Sequence, residues 1–185
     1  MKKNLRGLSA LLLISFTLTA FSCIAHIHGN GKVVKEERNI SGFEEISAST
    51  GLEVVLNQDS FEKVVVEADE NIQKILKTEV SGGKLKIYLE EGVNYAKKMK
   101  VYVTLKQIKS LSASAGSEVK SENKINAENL KIHASSGSEV TMEVNCTMVS
   151  ASSSSGSELN VSGTAQSIKA DCSSEIGRAS CRERV

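Results

Sequence analysis

A nine-residue pattern occurs three times in this chain and constrains its fold more than any other feature. Leu111-Ser-Ala-Ser-Ala-Gly-Ser-Glu-Val119, Ile132-His-Ala-Ser-Ser-Gly-Ser-Glu-Val140 and Ala151-Ser-Ser-Ser-Ser-Gly-Ser-Glu-Leu159 align without gaps. Their glycines, Gly116, Gly137 and Gly156, recur at nearly even intervals. A fourth copy opens at Lys169-Ala-Asp-Cys-Ser-Ser174. A period of about 20 residues predicts units that cannot bury an apolar face alone and must stack to share one core. Aligned on the glycines, similar residues fall into columns: Leu130, Val149 and Ile168; Leu111, Ile132, Ala151 and Ala170; Val119, Val140 and Leu159. Ala127, Cys146 and Ala165 form a column of small residues. A serine-rich disordered linker would have no need to keep apolar columns in register.

Upstream of the repeats the chain reads as short strands. Leu52–Leu56 and Val64–Ala68 are rich in β-branched residues and flank the polar turn Asn57-Gln58-Asp59-Ser60. Gly82-Gly83 suits a two-residue hairpin loop, followed by clean alternation of Leu85, Ile87 and Leu89 with polar residues. One segment, Asp69–Leu76, has helical spacing, with Ile72, Ile75 and Leu76 on one face and Asp69 as N-cap. The expected fold is therefore all-β: a β-solenoid, or β-helix-like stack of coils of about 20 residues, with one short helix near residues 69–76.

Both ends differ from the middle. Residues 1–22 read as a signal peptide, with Lys2, Lys3 and Arg6 before the apolar run Leu8–Leu18. Ala20-Phe21-Ser22-Cys23 resembles a relaxed lipobox, so Cys23 is the expected lipidation site and residues 23–31 the tether to a membrane. At the other end, residues 175–185 contain three arginines, whereas Arg38 is the single arginine of residues 7–177. This stretch resembles a translated sequencing adapter. It is expected to be non-native and to truncate the repeat domain of residues 32–174. Residues 23–174 carry 17 basic and 20 acidic side chains, a net charge near −3, which does not favour nucleic acid as a partner. Proline and tryptophan are absent. Cys146 and Cys172 fall in different columns, which argues against a disulfide and for two small buried residues.

The repeated Gly-Ser-Glu turns hold the most suggestive chemistry. Glu118, Glu139 and Glu158 are expected to stack along one edge at about the strand spacing of 5 Å, with Ser117, Ser138 and Ser157 beside them as a possible ligand or cation face. Calcium is the cation whose preference for hard oxygens would suit such a face. The chain has no aspartate-rich nonapeptide, however, and neither a metal nor another cofactor is expected. The serine array itself could hydrogen-bond a glycan or a protein. His26 and His28 form an H-x-H without a third ligand nearby, and His133 has no partner at catalytic spacing. No nucleophile elbow is present, and no arginine accompanies the acidic column as a lyase would require, so no enzyme is expected.

Gly29-Asn-Gly-Lys-Val-Val, Arg38-Asn-Ile-Ser-Gly-Phe-Glu-Glu-Ile-Ser and the repeated Ala-Ser-x-Gly-Ser-Glu-Val together resemble the auto-transporter adhesin, head GIN domain family. The resemblance covers roughly residues 29–174. It implies an envelope protein of the Bacteroidota type, exported, and held at the outer membrane as a lipoprotein on the surface or periplasmic side. The expected function is an adhesin-like binding or structural module whose ligand, a glycan or a protein, meets an exposed face. A periplasmic scaffold component and a β-helix carbohydrate-active enzyme are the alternatives. No binding residue is carried over from the family.

Overall fold

The computed structural model describes residues 26–173 and, as a strand, 178–183. The first half contains β1 (Ile27–His28), β2 (Val33–Arg38), β3 (Glu45–Ala48), β4 (Glu53–Gln58), β5 (Lys63–Asp69), β6 (Leu76–Ser81), β7 (Lys84–Leu89), β8 (Val93–Tyr95) and β9 (Met99–Leu105). The second half contains β10 (Ser110–Ala113), β11 (Glu118–Ser121), β12 (Ile125–Ala134), β13 (Glu139–Ser154), β14 (Glu158–Ser173) and β15 (Arg178–Glu183). β1 and β8 form a small sheet of their own. A continuous path joins β2-β5-β9-β4-β11-β13-β12-β10-β3-β7-β6, with β14 and then β15 added beside β13.

This arrangement corrects the expected β-solenoid. The fold is all-β, and the eleven strands of the path from β2 to β6 form a nearly closed, barrel-like sheet rather than a β-helix of stacked coils. Two features cause the difference. First, β2–β5, β5–β9 and β6–β7 pair antiparallel, so the N-terminal half mixes chain reversals with parallel pairs such as β3–β7 and β4–β9. Second, β13 runs for 16 residues around a corner. It pairs with β11 along its first part and β12 along the rest, which makes two flanks one sheet. The ends of the path meet across two side chains. Gln73, just before β6, donates to the Val34 and Val66 carbonyls at 3.0 Å each, and Arg38 donates to the Gln73 carbonyl at 3.1 Å. The repeats lie side by side in parallel. Leu111 pairs with Ile132, Ile132 with Ala151, and Ala151 with Ala170.

Each repeat turns in the same way. Ala115 and Gly116, Ser136 and Gly137, and Ser155 and Gly156 all have positive φ, from 49° to 72°. This left-handed pair closes a tight turn in which the Ser117 N–H donates to the Ser114 carbonyl at 3.1 Å, with equivalents at Ser138 and Ser157. The turn then sends the chain to the other flank instead of back along the same one. Thr50-Gly51 has the same conformation, with φ of 67° and 68°. β3 and β4 lie in register against β10 and β11, so residues 46–54 are a further copy of the repeat.

The helical reading of residues 69–76 is also overturned. The Gln73 and Leu76 N–H groups reach back four residues, but the Ile75 N–H bonds only three residues back. Without consecutive four-residue bonds the segment is a turn and no helix forms. Ile72 and Leu76 are nevertheless buried in the core. Asp69 is fully buried and caps no helix. Its carboxylate accepts the Gly31 N–H at 2.9 Å and the Lys97 and Lys98 N–H groups at 3.2 Å each. A Cβ on Gly29 would lie 2.1 Å from Asp69 Oδ2, so this position has room only for glycine. The Asn71 amide adds a bond to the His28 carbonyl at 2.7 Å, and its oxygen accepts from the Asn30 N–H at 2.9 Å. Residues 26–31, expected as a tether, are thus clasped against the sheet.

Candidate ligand groove

β12, β13 and β14 alternate buried and outward residues until they reach a corner. There the alternation slips, and two consecutive residues face out, Glu128-Asn129 on β12 and Thr147-Met148 on β13, while β14 is exposed from Gln166 onward. The pairing skips one position at the same place, between Ala127 and Asn129 on β12 and between Cys146 and Met148 on β13. The bend indents the surface into an open groove of about 1280 Å³, whose other wall comes from residues 107–110 and Glu45. Ala127, Cys146 and Ala165 line it, and their small side chains leave the corner hollow.

One wall is a polar ladder across adjacent strands. Asn126, Asn145 and Thr164 are direct neighbours in register. Thr164 Oγ1 donates to Asn145 Oδ1 at 2.7 Å, and Asn145 Nδ2 donates to Asn126 Oδ1 at 3.0 Å. Gln58 anchors the end of the ladder, accepting the Asn126 N–H at 2.7 Å and donating to the Asn126 carbonyl at 2.9 Å. Beside this ladder, Gln107, Asn129, Thr147 and Gln166 line the groove with no side-chain hydrogen bond to any described residue. Its charged lining is balanced, with Glu45 and Glu128 against Lys109 and Lys131. Among the described residues, no aromatic side chain lines it. Cys146 is buried, and desolvation pushes its thiol pKa up, which keeps it protonated and unreactive.

The residues singled out from the repeats lie elsewhere and do not share one face. Glu53, Glu118, Glu139 and Glu158 occupy adjacent rungs of the parallel sheet. Lys100 stands next to Glu53 in register and bonds it at 2.7 Å, which raises the lysine's pKa. Lys120, two residues along the same strand, pairs with Glu118, which raises its pKa as well. Ser117, Ser138 and Ser157 point the other way and are at most 2% exposed. Each hydroxyl accepts a turn N–H and donates to the carbonyl of Ala48, Ala113 or Ala134 on the neighbouring unit, at 2.9–3.2 Å. These serines staple one repeat to the next and are not available to a surface ligand. Among the described residues, no cluster of three or more His, Cys, Asp or Glu side chains could hold a metal. Cys172 is exposed, against the expectation of burial, and neither it nor Cys146 is in a disulfide. Cys23 and the signal segment lie outside the described residues, as do Ser174 and residues 175–177 and 184–185 of the tail. Residues 178–183 form β15, parallel to β14.

The groove itself is not legible in the repeat motif. Its signal is the small-residue column at 127, 146 and 165, flanked by amide and hydroxyl residues at 126, 145 and 164.

A family model described as "Putative auto-transporter adhesin, head GIN domain" matches residues 42–182. Three crystal structures of proteins described as putative adhesins share the fold. One from Parabacteroides distasonis ATCC 8503 superposes with a TM-score of 0.75 at 20% identity, over 86% of this chain and 68% of its own. One from Bacteroides fragilis NCTC 9343 gives 0.58 at 14% identity, over 85% and 100%. One from Parabacteroides merdae ATCC 43184 gives 0.56 at 15% identity, over 86% and 95%. No match was found among curated protein sequences.

Proposed function

This chain belongs to the auto-transporter adhesin, head GIN domain family, and from that premise we propose that it is a non-catalytic binding module displayed at the bacterial cell envelope. The observation that carries this reading is the groove at the strand corner, where neutral hydrogen-bonding groups stand uncommitted on a rigid sheet. Binding sites are concave and offer convergent polar groups. Catalysis needs in addition a nucleophile, or an acid and base held in mutual reach. The groove has neither: its thiol is buried and protonated, and its acids lack a partner shaped for proton transfer.

Export and lipidation at Cys23 supply the display in this reading. An acylated cysteine would fix the module to a membrane. Protease shaving of intact cells tests display directly. Release of peptides from residues 26–173, while a periplasmic marker stays intact, is the expected result. Full protection would remove the surface role. Metabolic labelling with a fatty-acid probe should mark the wild-type protein and not Cys23→Ser; equal labelling of both would eliminate the anchor.

A further inference from the structure

We infer that the corner groove is a subsite for a linear, neutral polysaccharide that lies across the strands. The inference deepens the binding-module reading and rests on it.

The geometry fits a polymer rather than a compact ligand. The ladder Asn126, Asn145, Thr164 repeats one group per strand, and strands in a sheet lie about 4.8 Å apart. That step is close to the length of one pyranose ring. A polysaccharide running along the ladder would therefore meet a similar polar group at each sugar. Thr147 and Gln166 occupy equivalent positions on neighbouring strands, between the pairs Cys146–Ala165 and Met148–Ser167, so two of the uncommitted groups recur with this step, and Asn129 lies one residue beyond their row on β12.

The chemistry favours neutral hydroxyls. Amides offer donors and acceptors together, and a hydroxyl needs both. Glu45, Glu128, Lys109 and Lys131 leave the lining without net charge, so neither a polyanion nor a polycation gains from long-range attraction. Peptides that bind sheets usually add a strand to a free edge. At the ladder, Asn145 is already paired with strands on both sides, and Gln58 occupies the backbone of Asn126. A lipid or other apolar ligand would find an amide- and hydroxyl-rich surface with no aromatic platform among the described residues.

The test is affinity electrophoresis of the purified full chain through gels containing laminarin, xylan, galactomannan or dextran. Alginate, polygalacturonate and gelatin serve as anionic and peptide comparisons. The triple variant Asn129→Ala, Thr147→Ala, Gln166→Ala is run beside the wild type. Its three side chains make no hydrogen bond to described residues, so its melting temperature should be unchanged. Retardation by at least one neutral polysaccharide, weakened about tenfold or more in the variant, is expected. Equal retardation of both proteins, or no retardation by any neutral polymer, overturns the assignment. Variant-sensitive binding to gelatin or to the polyanions alone overturns it as well. The measurement uses purified protein, so its failure would leave envelope display standing, and failed shaving of cells would leave the groove standing.

Discussion

Asp69 is the residue on which the N-terminal segment depends. Its buried carboxylate serves three backbone N–H groups from two separate segments. Asp69→Ala would orphan those donors at a cost of roughly 3 kcal/mol or more. Gly29→Ala should also destabilise, because the new methyl would collide with the same carboxylate. The two losses should therefore not add. A urea-denaturation cycle of the single and double variants is expected to show coupling, and strict additivity would refute the clasp. A second residue-scale prediction concerns pH. The Tyr102 hydroxyl donates to Glu67 at 2.9 Å, and this bond raises its pKa above the usual 10.0. Lys100, bonded to Glu53, is raised above 10.5. Both protons are held more tightly in the folded state. Their stabilisation is complete below about pH 10 and is lost as pH rises through the folded values. Tyr102→Phe should flatten the alkaline fall of the melting temperature, and an unchanged slope would sink the idea. Little of this is legible in the sequence. Asp69 reads as a helix cap because an aspartate's acceptor role is local in most sequences, and here its donors lie 28 to 38 residues away.

At the scale of the element, the repeat turns are readable and the roles of their side chains are not. The glycines mark the turn, since a left-handed residue is most easily glycine. Gly137 has φ of 70°, with nothing within 4 Å of an added Cβ. Gly137→Ala should therefore cost only the backbone strain, about 1 kcal/mol, read as a shift in the denaturation midpoint. The serine after each glycine reads as surface because serine usually is. A hydroxyl can be buried when the donor and acceptor it needs are both supplied, as they are by the turn and the next repeat. The copy at residues 46–54 is hidden because Gly51 lies far from Gly116 along the chain, and because Leu52 replaces the stapling serine. The segment expected as a helix has the right apolar spacing, but burial of Ile72 and Leu76 needs only one turn of chain. Strands β13 and β14 differ in what covers them, and their cysteines should report it. A maleimide should modify exposed Cys172 quickly and spare buried Cys146, as peptide mapping can show. Equal labelling of both would contradict the packing of β13.

For the whole molecule, the repeats make parallel neighbours predictable, but not the closing of the sheet. That closure depends on antiparallel partners far apart in sequence, such as β5 with β9, and on the Gln73 and Arg38 contacts between the end strands. None of these has a periodic signature. The apolar column of Leu130, Val149 and Ile168 shows where the packing ends: the first two are 1% exposed and Ile168 is 41% exposed. Leu130→Ala should cost roughly 3 kcal/mol, as for a core leucine, and Ile168→Ala less than about 1 kcal/mol. Similar losses at both sites would mean that the outer face of β14 is covered.

The near-even step between repeats also bears on how such a chain can change over generations. Gly116, Gly137 and Gly156 sit in closely similar nine-residue stretches, so the natural step of change is gain or loss of one complete unit. Because each unit contributes one staple, one turn and one rung of the ladder, such an event would leave every remaining contact in phase. The groove would gain or lose one step of reach while its chemistry stayed the same. Lineages could thus vary the length of polymer they grip by copy number alone, without a single new side chain.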